Sequence, residues 1–513
     1  MVRVRHGEVI SLKQFEVAVN GIRKINAGLG LASAPVRISV LTNFDYMFPK
    51  LQSDADALLC SDKPEETVAH LIALGETMRE PGTDSKFDST IPAAYTYFGQ
   101  FVDHDITLEL QSDEIGDLDD PKLKPLSLDI IRTQIKNSRT PAPDLDSVYG
   151  ATSDGTPVPR DCSSLAVSAV NKSGQRPPNK DTFNDLPRKP RSATPEIDRE
   201  ALIGDARNDE NLIVSQLHVA FLRAHNALVS RGLNFNEARK TLVQHYQWLI
   251  IHDFLKRIAG PELVNEILRH GNRFYRPPAC GLYMPLEFSA AAYRFGHSMV
   301  RSSYDYNLNF QKGMAATLKQ LFSLTAFSGG LSGFDHVPEK WIVQWENFLD
   351  GGSSKARSIS PRLVEPLYEL QDTTGHPVDG IRGSLAVRNL LRGYLLRMPV
   401  GQKVAQALGL PVLSEEEMVR VASSVNPKQA EVLRATGFIK RTPLWYYILA
   451  ESAAGKSGRL GLVGGTIVAE VLIGLVRWSE DSILSHHGWK PTLGSQPGRF
   501  TMRDFFRLAG VWG

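Results

Sequence analysis

The sequence predicts a mainly α fold, a single large helical domain with long irregular loops and little β structure. Three observations lead there. Apolar residues recur at helical spacing over residues 211–228 and 242–258, and again over about 286–301, 315–325, 383–397, 415–423, 444–454 and 464–478. No strand–helix alternation and no fixed-period repeat runs between them, which removes the doubly wound and solenoid classes. Prolines at Pro121, Pro125, Pro141, Pro143, Pro157, Pro159, Pro177, Pro178, Pro187, Pro190 and Pro195 break up residues 111–200. That stretch is read as a long excursion wrapped over the helical body.

Taken in order, residues 1–88 mix short helical patterns with turns and are read as an N-terminal extension packed on the core, with 89–505 as the main domain. Asp62 and Glu65 are spaced as a capping box ahead of a helix from residue 67. Residues 91–110 read as a helix started near Pro92, since proline is tolerated in a first turn. The most apolar run, 460–476, carries Glu470 and several glycines and falls short of about 20 residues. It reads as a buried helix, and no membrane span is expected.

Composition narrows the function. With 42% hydrophobic residues, 22% charged residues and a formal net charge of +2, the chain lacks the basic footprint of a nucleic-acid binder. Cys60, Cys162 and Cys280 are too few and too scattered for a disulfide frame or a paired metal site, and are read as unpaired thiols. The first residues lack the apolar stretch of a secretory signal. A soluble protein is expected, cytoplasmic or exported by a non-classical route.

Four segments carry chemistry. In Tyr97-Phe98-Gly99-Gln100-Phe101-Val102-Asp103-His104-Asp105, helical geometry puts Gln100 and His104 on one face and aims Asp103 and Asp105 to opposite flanks. The bulky apolar neighbours imply a buried helix whose polar groups are engaged. In Gly204-Asp205-Ala206-Arg207-Asn208-Asp209-Glu210 the acids suit a helix N-terminus, while Arg207 suits a reacting anion or a developing negative charge. In Tyr293-Arg294-Phe295-Gly296-His297, Gly296 leaves room for a flat cofactor beside His297, which is either a ligand or a satisfied core histidine. In Leu385-Ala386-Val387-Arg388-Asn389-Leu390-Leu391-Arg392-Gly393, Asn389 can accept the second ring N–H of a ligating histidine. His218, His225, His245 and His252 are read as structural.

These segments, in this order over roughly residues 90–400, resemble the animal-type haem peroxidases of the peroxidase-cyclooxygenase superfamily. The resemblance implies haem b or an ester-linked derivative, with His104 as distal histidine, Arg207 as distal arginine and His297 as the iron ligand. It implies that Gln100 orders distal water or a halide and that Asn389 holds the far nitrogen of His297. Arg294 and Arg392 would pair with the haem propionates, and Asp103 and Glu210 match the ester-forming carboxylates. A calcium site is also implied, with Asp105, Thr140, the carbonyl of Ala142, Asp144 and Asp146 as oxygen ligands, aspartate standing at 146 where the family pattern has serine.

The activity so implied is reduction of hydrogen peroxide and oxidation of small donors, aromatic compounds or halides and thiocyanate. His104 acts as general base, then general acid, and Arg207 stabilises charge as the O–O bond breaks. Asn211 stands where some members carry a methionine bonded to a haem vinyl group, so no sulfonium link is expected. Tyr394-Leu395-Leu396-Arg397 replaces the family's usual Arg-Asp-His-Gly. Two other functions are weighed. A fatty-acid dioxygenase or cyclooxygenase of the same superfamily has its radical tyrosine three residues before the proximal histidine, where this chain has Arg294. A degenerate haem-binding adhesion or interaction protein would not need His104, Arg207 and His297 together.

Overall fold

The apolar faces of these helices meet in one core in the computed structural model of the chain. It describes residues 10–11, 41–59, 62–80, 82, 85–111, 115, 117–152, 156–175, 177, 181–195, 197–278, 281–311, 313–370, 378, 380–485 and 488–513. The N-terminal residues 1–9, on which the secretory-signal reading rests, lie outside the described residues, as do Cys60 and Cys280. Helix Leu212–Val229 lies against Ala94–Ile106 and Phe235–Leu249. Phe101 stacks on Phe221 with centroids 4.5 Å apart, and both rings meet Tyr246 edge-on, which fixes the three helices to one another. Leu212–Val229 is long and apolar enough to cross a membrane, yet 78% of it is buried inside the fold. A helix apolar all round is the expected centre of a large core.

The helices Leu385–Leu395, Glu415–Val425, Leu444–Gly455 and Leu462–Arg477 form where periodicity places them. Glu470, the polar break in the most apolar run, is buried and accepts main-chain N–H groups of Arg273 (2.9 Å), Phe274 (3.1 Å) and Tyr275 (3.1 Å). A buried carboxylate supplied with several donors is tolerated where an unpaired one is not.

Four boundaries differ from expectation. The helix read from 91 starts at Ala94, because Asp88–Pro92 is a strand paired with Lys355–Arg357. The Asp62–Glu65 capping box does not form: Pro64–Glu76 starts on its own proline, after Lys63, whose side chain makes no cap bond. The helix read over 242–258 is Phe235–Leu249, capped by the Asn234–Glu237 box, and it passes through a π turn at Ile250–Phe254 into Leu255–Ile258. The run read over 286–301 is a short α-helix, Leu286–Ser289, followed by 3₁₀ structure over Ala292–Met299. Side chains three apart eclipse in a 3₁₀-helix, so Arg294 and His297 fall on one side.

Strands are short. The largest sheet runs in the order Ile10–Ser11, Glu109–Gln111, Ile135–Asn137, Thr42–Asp45, Met284–Pro285. Residues ahead of 88 thus share a sheet with residues from the middle of the chain. The described part of 111–200 is mostly irregular, broken by Leu128–Gln134 and Asp146–Tyr149.

Candidate active site

A cavity of about 670 Å³ opens between helix Ala94–Ile106 and the 3₁₀ run Ala292–Met299. Gln100, Asp103, Arg207, Glu210 and Asn211 line one part of its wall, and Arg294, Gly296, His297, Asn389 and Arg392 another. Four sequence segments from 100 to 392 are therefore brought to one space. A Cβ built on Gly296 would meet nothing within 4 Å, so this glycine keeps the wall open beside His297.

On the first part, Gln100 Nε2 donates to Glu210 Oε1 at 2.5 Å, and that oxygen lies 4.0 Å from His104 Nε2. His104 is fully buried and stands behind this pair rather than among the lining residues. Its Nδ1 lies 2.8 Å from Asn208 Oδ1. Burial, followed by the nearby Arg207 charge, pushes the imidazole down to about 3, so it is neutral at physiological pH.

Arg207 is clamped. Asp205 accepts from its Nε at 3.0 Å and its Nη2 at 2.7 Å, and Nη2 also donates to the carbonyls of His104 (3.0 Å) and Thr107 (2.6 Å). Burial works against both charges, but Arg139 and Arg207 hold the Asp205 carboxyl well below its usual range and Asp205 holds Arg207 above its own. A cation held by its acid partner therefore stands at the wall.

The two aspartates beside His104 go to different places, as the helix geometry requires. Asp103 lines the cavity and accepts the Thr107 hydroxyl at 2.9 Å; burial raises its carboxyl, with Arg207 opposing. Asp105 accepts the main-chain N–H groups of Leu145 and Ser147, each at 3.1 Å. Leu145 takes a left-handed conformation, φ 61°, which turns these donors inward.

The residues read as a calcium site make hydrogen bonds of their own in this arrangement. Asp105 is held by N–H donors, Ala142 N–H bonds the carbonyl of Thr140, and Asp144 accepts the Asp146 N–H at 3.2 Å and itself donates to the Ala142 carbonyl. Among the described residues no three His, Cys, Asp or Glu side chains gather as a metal site. The Asp105 carboxylate and Asp144 Oδ1 thus accept main-chain N–H groups within the loop.

On the second part, Asn389 Nδ2 lies 2.8 Å from His297 Nδ1, so the amide turns its donor end to the ring rather than the accepting oxygen expected, because Oδ1 accepts Arg294 Nη1 at 2.8 Å. Burial, with Arg294 and Arg388 adding to it, pushes His297 down to about 3. Arg392 is buried, reaches the carboxylate of Glu109, and keeps Nε without a hydrogen-bond partner among the described residues. Burial pulls this guanidinium down to about 9. Tyr293 lines the cavity with its hydroxyl donated to the Gly99 carbonyl at 3.2 Å, and Asn211 caps helix Leu212–Val229.

Sequence reasoning missed Asn208 and Asp205 as partners of His104 and Arg207. An asparagine between two assigned residues carries no periodic or spacing signal. Asp205 was read as a helix-terminus acid, and its pairing with Arg207 needs the tight turn at Ala206–Asp209.

The fold is shared with solved structures of low sequence identity. It is similar to peroxidase A from Dictyostelium discoideum, with a TM-score of 0.59 and 16% identity over 92% of this chain and 94% of that one. It is also similar to the Oryza sativa fatty acid alpha-dioxygenase, with a TM-score of 0.55 and 14% identity over 90% and 88%. Residues 121–337 match the animal haem peroxidase family model, in line with the resemblance read from the motifs. That match takes in Arg207, Glu210, Arg294 and His297; the Gln100–Asp105 segment and Asn389 lie outside it.

Among curated relatives, a peroxidase-like protein of Margaritifera margaritifera is 33% identical over 120 residues, 20% of this chain and 14% of that protein. Thyroid peroxidase of Mus musculus is 29% identical over 123 residues, 22% and 13% respectively. The matched stretches span about a seventh of these relatives' length.

Proposed function

We propose that the chain is a haem peroxidase that reduces hydrogen peroxide and oxidises small donors. The observation that carries this reading is the cavity itself, with an Asn-supported imidazole on one part of its wall and an acid-clamped arginine backed by a neutral histidine on another. The residues fit a haem. His297 offers a neutral ring at the open face left by Gly296, able to ligate once the Asn389 amide turns its oxygen to Nδ1, and Arg392 offers a buried N–H group without a partner among the described residues, suited to a propionate.

When bound, haem supplies the iron at which peroxide reacts and the capacity to store its oxidising equivalents. The chain supplies the rest. His104 takes a proton from hydrogen peroxide and returns it to the departing oxygen. Arg207, fixed by Asp205, stabilises negative charge during O–O cleavage without reorganising. Gln100 and Glu210 lie between His104 and the cavity, so their shared contact controls access to Nε2. Asp103 and Glu210, which line the cavity, are the carboxylates for ester links.

The test is reconstitution of the purified chain with haem, followed by a panel of aromatic and halide donors with hydrogen peroxide. Soret absorbance lost in His297→Ala and turnover lost in His104→Ala are expected. A haem-loaded chain without turnover would instead support a binding or adhesion role. Acid-acetone extraction after peroxide treatment tests the ester links, which leave haem on the protein.

A further inference from the structure

Three side chains with no exposed surface form a line leading away from the cavity: His104, Asn208 and His218. They come from three places, helix Ala94–Ile106, the turn Ala206–Asp209 and helix Leu212–Val229. Asn208 Oδ1 lies 2.8 Å from His104 Nδ1, and Asn208 Nδ2 lies 3.0 Å from His218 Nδ1. The backbone of Asn208 is tied as well, its N–H donating to the Asp205 carbonyl at 3.1 Å. Asn208 has two distinct ends and each faces a different ring.

Hydrogen-bond roles follow from this placement. The amide oxygen only accepts, so His104 Nδ1 carries the proton and Nε2 carries the lone pair. The amide nitrogen only donates, so His218 presents an unprotonated Nδ1 and bears its proton on Nε2. That Nε2 is buried and has no hydrogen-bond partner among the described residues, while the His218 ring packs edge-on to Phe101 with centroids 6.0 Å apart. Leaving one nitrogen unmatched costs free energy, so the site tolerates a cost at His218 to keep its ring against the Asn208 amide.

We infer that Asn208 is a positioning residue that keeps His104 in the tautomer able to accept a proton at Nε2, and that His218 keeps Asn208 from turning over. The inference extends the peroxidase reading, which uses His104 as the base. A base in the wrong tautomer loses most of its rate even when its geometry is intact. His218, set aside as structural by its sequence pattern, then acts on the site through one amide. The charged groups that face His104 are Arg207, Asp205, Arg139 and Glu210, none of which bonds Nδ1.

The experiment uses histidine-selective ¹⁵N labelling of the full chain without haem, where the two ring nitrogens report protonation separately. It is followed by the pH profile of peroxide consumption in the reconstituted protein. The His104 signals are assigned by their loss in His104→Gln. The native chain is expected to show Nδ1–H at His104 and Nε2–H at His218. In Asn208→Ala, His104 loses its fixed tautomer and peroxide consumption falls about 10-fold or more with the donor KM unchanged. Asn208→Asp keeps an acceptor for Nδ1 and restores both the tautomer and the rate. His218→Phe, which keeps a ring but removes the acceptor, gives the same tautomer loss and serves if Asn208→Ala does not fold.

An unaltered His104 tautomer in both Asn208→Ala and His218→Phe would overturn the inference, as would a rate within twofold of native in either. Unaltered turnover in His104→Ala would instead overturn the peroxidase reading, because the tautomers are read without haem.

Discussion

Arg294 donates Nη1 to Oδ1 of Asn389 at 2.8 Å and thereby turns the amide nitrogen toward His297 Nδ1, also 2.8 Å away. The cation, the amide and the imidazole are one chain on the cavity wall. An anionic group that draws Arg294 off releases the amide to present its oxygen to a ring N–H. The residue assigned to a propionate and the residue assigned to the ring are thus coupled through a single hydrogen bond.

Asn389→Ala is expected to weaken haem binding about 10-fold to 100-fold, as loss of a group supporting a metal ligand commonly does. Haem titration followed in the Soret region measures it. Asn389→Asp keeps an acceptor and is expected to stay nearer native. Equal affinity in the native protein and Asn389→Ala would mean that the ring is held by packing alone.

His104→Ala is expected to retain Soret absorbance and to lose about 10²-fold to 10⁴-fold in peroxide turnover, the range of general acid–base catalysis. Stopped-flow mixing with hydrogen peroxide separates this loss from a loss of haem.

The pH profile follows from burial. His104 must be neutral to take a proton, and burial, with Arg207 adding to it, holds its pKa near 3. The active form therefore exists above about pH 3, and the peroxide step is expected to stay flat from about pH 4.5 to 8. An acid limb near pH 6.5, the ordinary histidine value, would show that His104 is not so buried.

Asp105 spends its oxygens on two main-chain N–H groups, so its hold on the 145–147 turn does not require a metal. Asp105→Ala leaves two buried donors unmatched and is expected to cost about 2 kcal/mol or more. A chelator is expected to leave the melting temperature within about 2 °C. A larger drop on chelation, reversed by calcium, would show that the loop rearranges around a cation.

Much of the fold was legible because periodicity reports burial directly, as at Leu385–Leu395 and Leu462–Arg477. The 3₁₀ run Ala292–Met299 was not, since apolar spacing over eight residues does not distinguish three residues per turn from 3.6. The opposite directions of Asp103 and Asp105 were legible, being a property of one helix. The partners of His104 were not. Asn208 and Glu210 reach it across about a hundred residues, and the packing of helix Leu212–Val229 on Ala94–Ile106, with the Arg207 bonds to the His104 and Thr107 carbonyls, sets those distances.

The cavity wall draws residues from Gln100 through Arg392, which gives the chain a birth order as well as a shape. During synthesis His104 emerges first, Arg207 and His297 follow, and Asn389 and Arg392 come last. At roughly 5 to 20 residues per second, tens of seconds separate the first wall from the final one. Until then His297 lacks its amide and the cavity lacks the Arg392 cation, so a cofactor arriving early meets a half-built pocket. Cofactor supply is therefore matched to finished chains rather than to growing ones, and haem added after translation should load the protein as fully as haem present throughout.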